Sequence, residues 1–330
     1  MQSSIVRRPG LAEISPEWTE FSKHVQVPPL IGTPEELRQM QFPQDDSPPV
    51  GFSTKQIPVP GHEGWTNQAR IYTPDVRCQA RAVVLYVHGG GWTIGDLDSE
   101  DAVCRTMCKS TGAVVVSLDY RKAPENPFPV GLEDVWAGVL WVCFIPLKLA
   151  KKIIVFKNIE SLGGDSSRVI LGGLSAGGNI TAVLAQRARD TKQASFCGQI
   201  LRVPLVVHPK AQPADLDFSS YDENVNAPIL PSTAVTQFLN YYNAPPEDIR
   251  VSPLLTPELS GLPRTYIQVA GADPLRDDGF AYAEKLQQAG VPVKVSIYPG
   301  LPHGFMMLPL ATSHKSDEDL TKAINWMAEA

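Results

Sequence analysis

Hydrophobic and polar positions follow two textures along the chain. Ser53–Val59 and Gln68–Tyr72 put apolar residues at alternate positions, the period of a half-buried strand, on either side of the turn Pro60-Gly61. They predict an antiparallel pair. Ala82–Val87 and Ala113–Leu118 are continuous apolar runs, as expected of strands buried on both faces. Val169–Leu171 is a shorter run of that kind, and Gln199–Leu205, Thr265–Ala270 and Val293–Tyr298 complete the predicted strands. Helical spacing fills the intervals: Ser99–Ser110, capped by Asp98 or Ser99; Leu132–Trp141; Ala176–Ala188; Gly279–Gln288, opened by Asp277 or Asp278 and closed by Gly290; and Asp317–Ala328. Buried strands alternating with helices predict an α/β protein with a mostly parallel sheet and helices on both faces. Two stretches break the rhythm. Residues 1–50 are proline-rich and helix-prone only in patches such as Pro34–Met40. Val206–Arg250 is loop-rich, then helical around Thr233–Tyr242, and reads as an excursion off the sheet.

Composition narrows the function classes. With 43% hydrophobic and 19% charged residues over 330 positions, the chain has material for a sizeable core. Its formal charge of −6 argues against a nucleic-acid partner, which would call for a basic stripe. The 30 prolines are nearly double the usual share of about 5% and are spread out, pointing to many ordered loops. Five cysteines (Cys78, Cys104, Cys108, Cys143, Cys197) form no disulfide framework, and nothing near Cys104 and Cys108 completes a zinc set, so buried thiols are expected. The N-terminus lacks a signal-like apolar core, and the longest apolar run, Val135–Leu147, falls short of the roughly 18 residues of a membrane span. A soluble, cytoplasmic protein is expected.

The strongest local motif is Gly173-Leu174-Ser175-Ala176-Gly177, a G-x-S-x-G between a predicted strand and a predicted helix. That context lifts a serine hydroxyl to the sheet edge on a sharp turn; the rival is a glycine-rich helix entry holding a chance serine. A serine needs a base within hydrogen-bond reach. Of six histidines, His303 follows the strand Val293–Tyr298, at the carboxyl end where ligands gather in parallel sheets. Asp273 follows the preceding strand and suits the orienting acid, whereas Asp277 and Asp278 are explained as helix caps. The order Ser175, Asp273, His303 is that of α/β-hydrolases. His88-Gly89-Gly90-Gly91-Trp92 follows the strand Ala82–Val87. One or two N–H groups among Gly89, Gly90 and Gly91, with that of Ala176, would receive an oxyanion. A phosphate loop is disfavoured because neither G-x-x-x-x-G-K-[ST] nor G-x-G-x-x-G is present. His88 is expected to be structural.

Five segments together resemble the hormone-sensitive-lipase-like, arylacetamide-deacetylase-like branch of the α/β-hydrolase fold: Tyr86–Asp96 (YVHGGGWTIGD), Asp119–Pro129 (DYRKAPENPFP), Leu171–Asn179 (LGGLSAGGN), Ala272–Phe280 (ADPLRDDGF) and Gly300–Phe305 (GLPHGF). They stand in family order and cover about residues 50–325. The resemblance implies a Ser175–Asp273–His303 triad, oxyanion donors at residues 89–91 and Ala176, and one α/β-hydrolase domain over 1–330. It also implies a helical cap from about 1–50 and 206–250, and a brace at Asp119-Tyr120-Arg121. Two departures stand out. Relatives usually carry aspartate where Leu174 stands, and Cys143–Phe156 (CFIPLKLAKKIIVF) interrupts a junction that is nearly direct in relatives. That insertion extends a helix, touches a membrane, or is foreign to the mature fold, as a translated intron would be; the last is slightly favoured because the flanks join smoothly without it.

The function expected is a serine esterase on small to medium acyl esters, working through an acyl-enzyme on Ser175 with no cofactor and no metal. Trp92, Phe238 and Tyr242 are expected to bind substrate, although Phe238, Tyr241 and Tyr242 equally suit the inner face of a packed helix. The alternatives are an acyltransferase or amidase with the same triad and, from another class, a non-catalytic small-molecule receptor. Oligomerisation is left open.

Overall fold

The predicted buried runs become the middle of a sheet. The computed structural model describes residues 10–40, 47–76, 81–143 and 158–329. Its strands are β1 (Phe52–Pro60), β2 (Thr66–Pro74), β3 (Arg81–Val87), β4 (Val114–Leu118), β5 (Gly164–Leu174), β6 (Gly198–Arg202), β7 (Arg264–Ala272) and β8 (Val293–Pro302). They form one sheet in the order β1-β2-β4-β3-β5-β6-β7-β8. β1 pairs antiparallel with β2 and β2 with β4, while every pairing from β4 to β8 is parallel. Val83, Val84, Leu85, Tyr86 and Val87 of β3 are wholly buried, which is why that segment reads as an unbroken apolar run.

The helices are α1 (Pro16–Phe21), α2 (Pro34–Arg38), α3 (Asp101–Thr111), α4 (Val130–Cys143), α5 (Asn158–Ser161), α6 (Ala176–Thr191), α7 (Ser220–Glu223), α8 (Ser232–Tyr242), α9 (Arg276–Gln288) and α10 (Ala311–Ala328). The chain leaves β3 to build β4 on one side, then returns to build β5 on the other. The carboxyl end of β3 is therefore a topological switch point, where such sheets open a crevice.

Several expectations change. β5 is much longer than Val169–Leu171 and β6 stops at Arg202 rather than Leu205, because Val203 takes φ 41° and turns the chain off the sheet. Neither Asp98 nor Ser99 caps α3: Asp96 accepts from the N–H groups of both, and Glu100 holds the cap position without a capping bond. Asp277 and Asp278 do not cap α9 either. They lie inside its first turn, fully buried, where Asp277 accepts from Ser220 N–H and Asp278 from Val206 and Val207 N–H. The last helix starts at Ala311, so His314 belongs to it.

Cys104, Cys108 and Cys143 are buried free thiols, and burial pushes the Cys108 thiol up to about 12. Cys78 and, beyond Cys143, the expected insertion at 143–156 lie outside the described residues. No described helix is long and apolar enough to cross a membrane.

Candidate active site

Register brings the reactive side chains together. Val87, the last residue of β3, pairs with Gly173 of β5, so the glycine loop and the G-x-S-x-G turn leave the sheet side by side. Ala272 pairs with Pro302, so Asp273 and His303, each the next residue, also emerge as neighbours. Ser175 has φ 54° and ψ −114°, a strained conformation held by its N–H bond to the Arg202 carbonyl at 2.8 Å. The turn tolerates only small flanks: a Cβ on Gly177 would lie 2.1 Å from the Val87 carbonyl oxygen.

His303 Nε2 lies 3.0 Å from Ser175 Oγ, and its Nδ1 lies 2.7 Å from Asp273 Oδ2. Asp273 is wholly buried and its other oxygen accepts from Leu275 N–H at 2.9 Å. With Nδ1–H donating to the carboxylate, Nε2 is left to accept the serine proton. The contiguous series Ser175–His303–Asp273 can therefore activate the hydroxyl.

Planar peptide units decide which glycine N–H groups face the serine. The Gly89 carbonyl accepts only, so the His88 Nδ1 contact at 2.7 Å is a donation from the ring. That turns the N–H of Gly90, on the far side of the same peptide, the opposite way. The Gly90 carbonyl in turn accepts from Thr93 and Ile94 N–H at 3.0 and 2.9 Å, which turns out the N–H of Gly91. Among the described residues no acceptor takes the N–H of Gly90, Gly91 or Ala176. Ala176 opens α6, whose N-terminus adds positive potential. Gly89 is a correction: its N–H donates to Glu100 Oε1 at 2.6 Å, which removes it from the donor set.

The loop is braced from behind. His88 is wholly buried and stacks on Tyr120 with ring centroids 4.4 Å apart. Its Nε2 lies 3.0 Å from Lys122 Nζ, which donates to Asp119 at 2.6 Å, and Tyr120 O–H donates to the His88 carbonyl at 3.2 Å. Arg121 clamps Asp134 through Nε and Nη2, both at 2.8 Å. The Asp119-Tyr120-Arg121 motif thus occupies a bracing position, away from the serine.

Above Ser175 lies a cavity of about 260 Å³. Its walls are mainly apolar: Val25, Val27 and Leu30 before α2, Leu205, Ile229 and Leu230 after β6, Val235 and Phe238 of α8, and Leu308 near His303. Polar groups at the wall include Ser175, His303, Gln26, Ser99 and Glu100. Trp92 and Phe238 border the cavity as expected, whereas Tyr242 does not and is a second correction. Tyr242 packs underneath, stacked flat on Trp92 with centroids 4.3 Å apart, because it is the core-facing residue one turn beyond Phe238. Leu174 is 4% exposed and lines the cavity, adding an apolar side chain beside Ser175. The wall residues at 25–30 and 229–230 escaped the sequence reading because they lie in loops without periodicity. The two wall segments hold each other: Leu30 N–H donates to the Ile229 carbonyl at 2.7 Å, and Tyr241 O–H to the Gly32 carbonyl at 2.9 Å.

Known proteins resemble this chain over most of its length. A family model described as alpha/beta hydrolase fold matches residues 84–307. Carboxylesterase NlhH of Mycobacterium tuberculosis is 40% identical over 282 residues, covering 83% of this chain and 81% of its own. Esterase LipI of the same organism is 41% identical over 256 residues, covering 74% and 73%. The crystal structure of vibralactone cyclase superposes with a TM-score of 0.86 at 28% identity, covering 100% of this chain and 99% of its own. A match across the switch point, the serine turn and both following loops leaves one assignment: the chain belongs to the alpha/beta hydrolase fold family.

Proposed function

We propose that this chain is a carboxylic ester hydrolase of the serine type, with Ser175 as nucleophile, His303 as general base and acid, and Asp273 as orienting acid. The observation carrying the proposal is the hydrogen-bonded series Ser175–His303–Asp273 at 3.0 and 2.7 Å beneath an apolar cavity. His303 Nε2 takes the Ser175 proton as Oγ bonds to the acyl carbon. The oxyanion so formed receives the N–H groups of Gly90, Gly91 and Ala176, each such donor contributing about 2.7–4 kcal/mol. Collapse breaks the ester C–O bond, and His303 returns the proton to the departing alcohol. Water then attacks the acyl-enzyme by the same route and releases the acid.

The substrate is a small to medium acyl ester. The cavity of about 260 Å³ is smaller than the roughly 300–1,000 Å³ of sites for drug-sized ligands, and its apolar wall suits a hydrocarbon acyl group. The proposal includes one domain over 1–330, with a cap from about residues 1–50 and 206–250; the bonds from Leu30 and Tyr241 between those segments support it. A cytoplasmic setting fits the free thiols of Cys104, Cys108, Cys143 and Cys197. A second reading is transfer of the acyl group to an alcohol or amine in place of water, for which the mainly apolar wall above Ser175 is the supporting observation.

Turnover of p-nitrophenyl esters of increasing chain length tests the proposal. Maximal kcat/KM at short to medium chains is expected. No turnover at any length, with acyl-enzyme still forming, would replace hydrolysis by transfer.

A further inference from the structure

Glu100 is a buried carboxylate that the reaction above does not use. It stands at the cap position of α3 but makes no capping bond, and only 5% of it is exposed. Its two oxygens reach back toward the sheet. Oε1 accepts from Gly89 N–H at 2.6 Å, and Oε2 accepts from Tyr86 O–H at 2.7 Å. The fully buried Arg202 reaches the same tyrosine oxygen at 3.4 Å, bringing a guanidinium into the cluster. A buried carboxylate is costly unless donors and a counter-charge hold it, and here both are supplied.

Glu100 and His88 grip Gly89 from opposite ends. The carboxylate holds the N–H of that residue, while the imidazole holds its carbonyl at 2.7 Å. The peptide carrying that carbonyl also carries the Gly90 N–H, which must then point away from His88. Tyr120 O–H, bonded at 3.2 Å to the carbonyl on the other side of the Gly89 N–H peptide, completes the clamp. A peptide fixed at both of its polar ends cannot rotate without losing a bond.

We propose that Glu100 is a positioning residue for the oxyanion-binding loop, a role that presupposes the esterase reading. By accepting the Gly89 N–H it sets the plane from which Gly90 and Gly91 present theirs to the acyl oxygen. What matters is an acceptor oxygen at the reach of a glutamate, more than the charge it bears. Glu100→Gln keeps that reach for one oxygen, loses the charge and sets an amide NH2 against Tyr86 O–H; Glu100→Asp keeps the charge and draws the oxygen back by one methylene.

The test measures kcat and KM of the full chain for p-nitrophenyl butyrate, and the inhibition constant of n-butylboronic acid, whose tetrahedral serine adduct mimics the intermediate. Glu100→Gln is expected to lose less kcat than Glu100→Asp, because one acceptor oxygen remains for Gly89 N–H. Glu100→Asp is expected to lose about 10- to 100-fold in kcat at nearly constant KM, the scale of a small misplacement in an active site, with boronate affinity falling in parallel. An aspartate variant as active as the parent, a glutamine variant as impaired as the aspartate, or a rise in KM without loss of kcat would overturn the proposal. Should Glu100→Asp show no cooperative melt, Glu100→Gln decides: a fall in kcat matched by boronate affinity at constant KM supports the proposal, and parent-like kcat and affinity overturn it. A parent chain that fails to turn over the ester sinks the esterase reading itself, which keeps the two failures apart.

Discussion

Gly91 and Phe238 approach so closely that no side chain fits between them: a Cβ on Gly91 would lie 2.3 Å from Phe238 Cγ. The backbone there has φ +56°, so Gly91→Ala suffers both strain and collision. We expect kcat/KM to fall about 10²–10³-fold, the cost of one misplaced oxyanion donor. Adding Phe238→Ala relieves the collision, so the melting-temperature losses of the two substitutions should sum to more than the loss in the double variant. Strict additivity would place the two side chains out of contact.

The segment before α1 is tied to the end of β8, just ahead of His303. Ser15 N–H donates to the Gly300 carbonyl at 2.9 Å, and Gly300 N–H donates to the Leu11 carbonyl at 2.8 Å. A Cβ on Gly300, where φ is +65°, would lie 2.2 Å from the Glu13 carbonyl oxygen. Gly300→Ala is expected to release residues 10–15, seen as faster amide hydrogen exchange there, and to lower kcat about tenfold by loosening His303. Unchanged exchange at Leu11–Ser15 would contradict the clasp.

Burial holds the Asp278 carboxyl well above the usual carboxylate range, although the N–H groups of Val206 and Val207 pull it the other way. The folded chain then keeps a proton that the unfolded chain sheds near pH ~3.9, so this group's stabilisation is full at low pH and declines as pH rises. Asp278→Asn keeps an oxygen for the two N–H groups and removes that decline. Its melting temperature relative to the parent should climb as pH rises above the ~3.9 of a free aspartate. A constant difference over that range contradicts a protonated Asp278.

Deleting residues 143–156 should preserve or improve soluble esterase activity. The flanks already meet: Asn158 Nδ2 donates to the Trp141 carbonyl at 2.8 Å, joining the start of α5 to the end of α4. Insoluble or inactive protein after the deletion would make that segment part of the fold.

What could be read in advance follows from how local each cause is. The cores of β3, β4 and β7 are runs buried on both faces, and Ser175, Asp273 and His303 each sit just past a strand, so motif and order were enough to expect them side by side. Asp277 and Asp278 misled because an acid near a helix start is ordinarily a cap. Here partners brought in by the tertiary fold (Ser220, and the amides of Val206 and Val207) took those carboxylates instead. Phe238 and Tyr242 share a helix face by their spacing, but spacing alone does not say which of them reaches a cavity and which ends in the core. The planes of the glycine loop depend on His88 and Glu100 acting together, which no single motif records.

The central claim is that Ser175 is the acylated nucleophile. Its most direct test is mass-spectrometric mapping of the adduct formed by a serine-reactive phosphonate, on the parent chain and on Ser175→Ala. A single adduct on the peptide carrying Ser175, absent from a Ser175→Ala variant with an undiminished melting temperature and no ester turnover, is predicted. Labelling or turnover that persists in Ser175→Ala would contradict it.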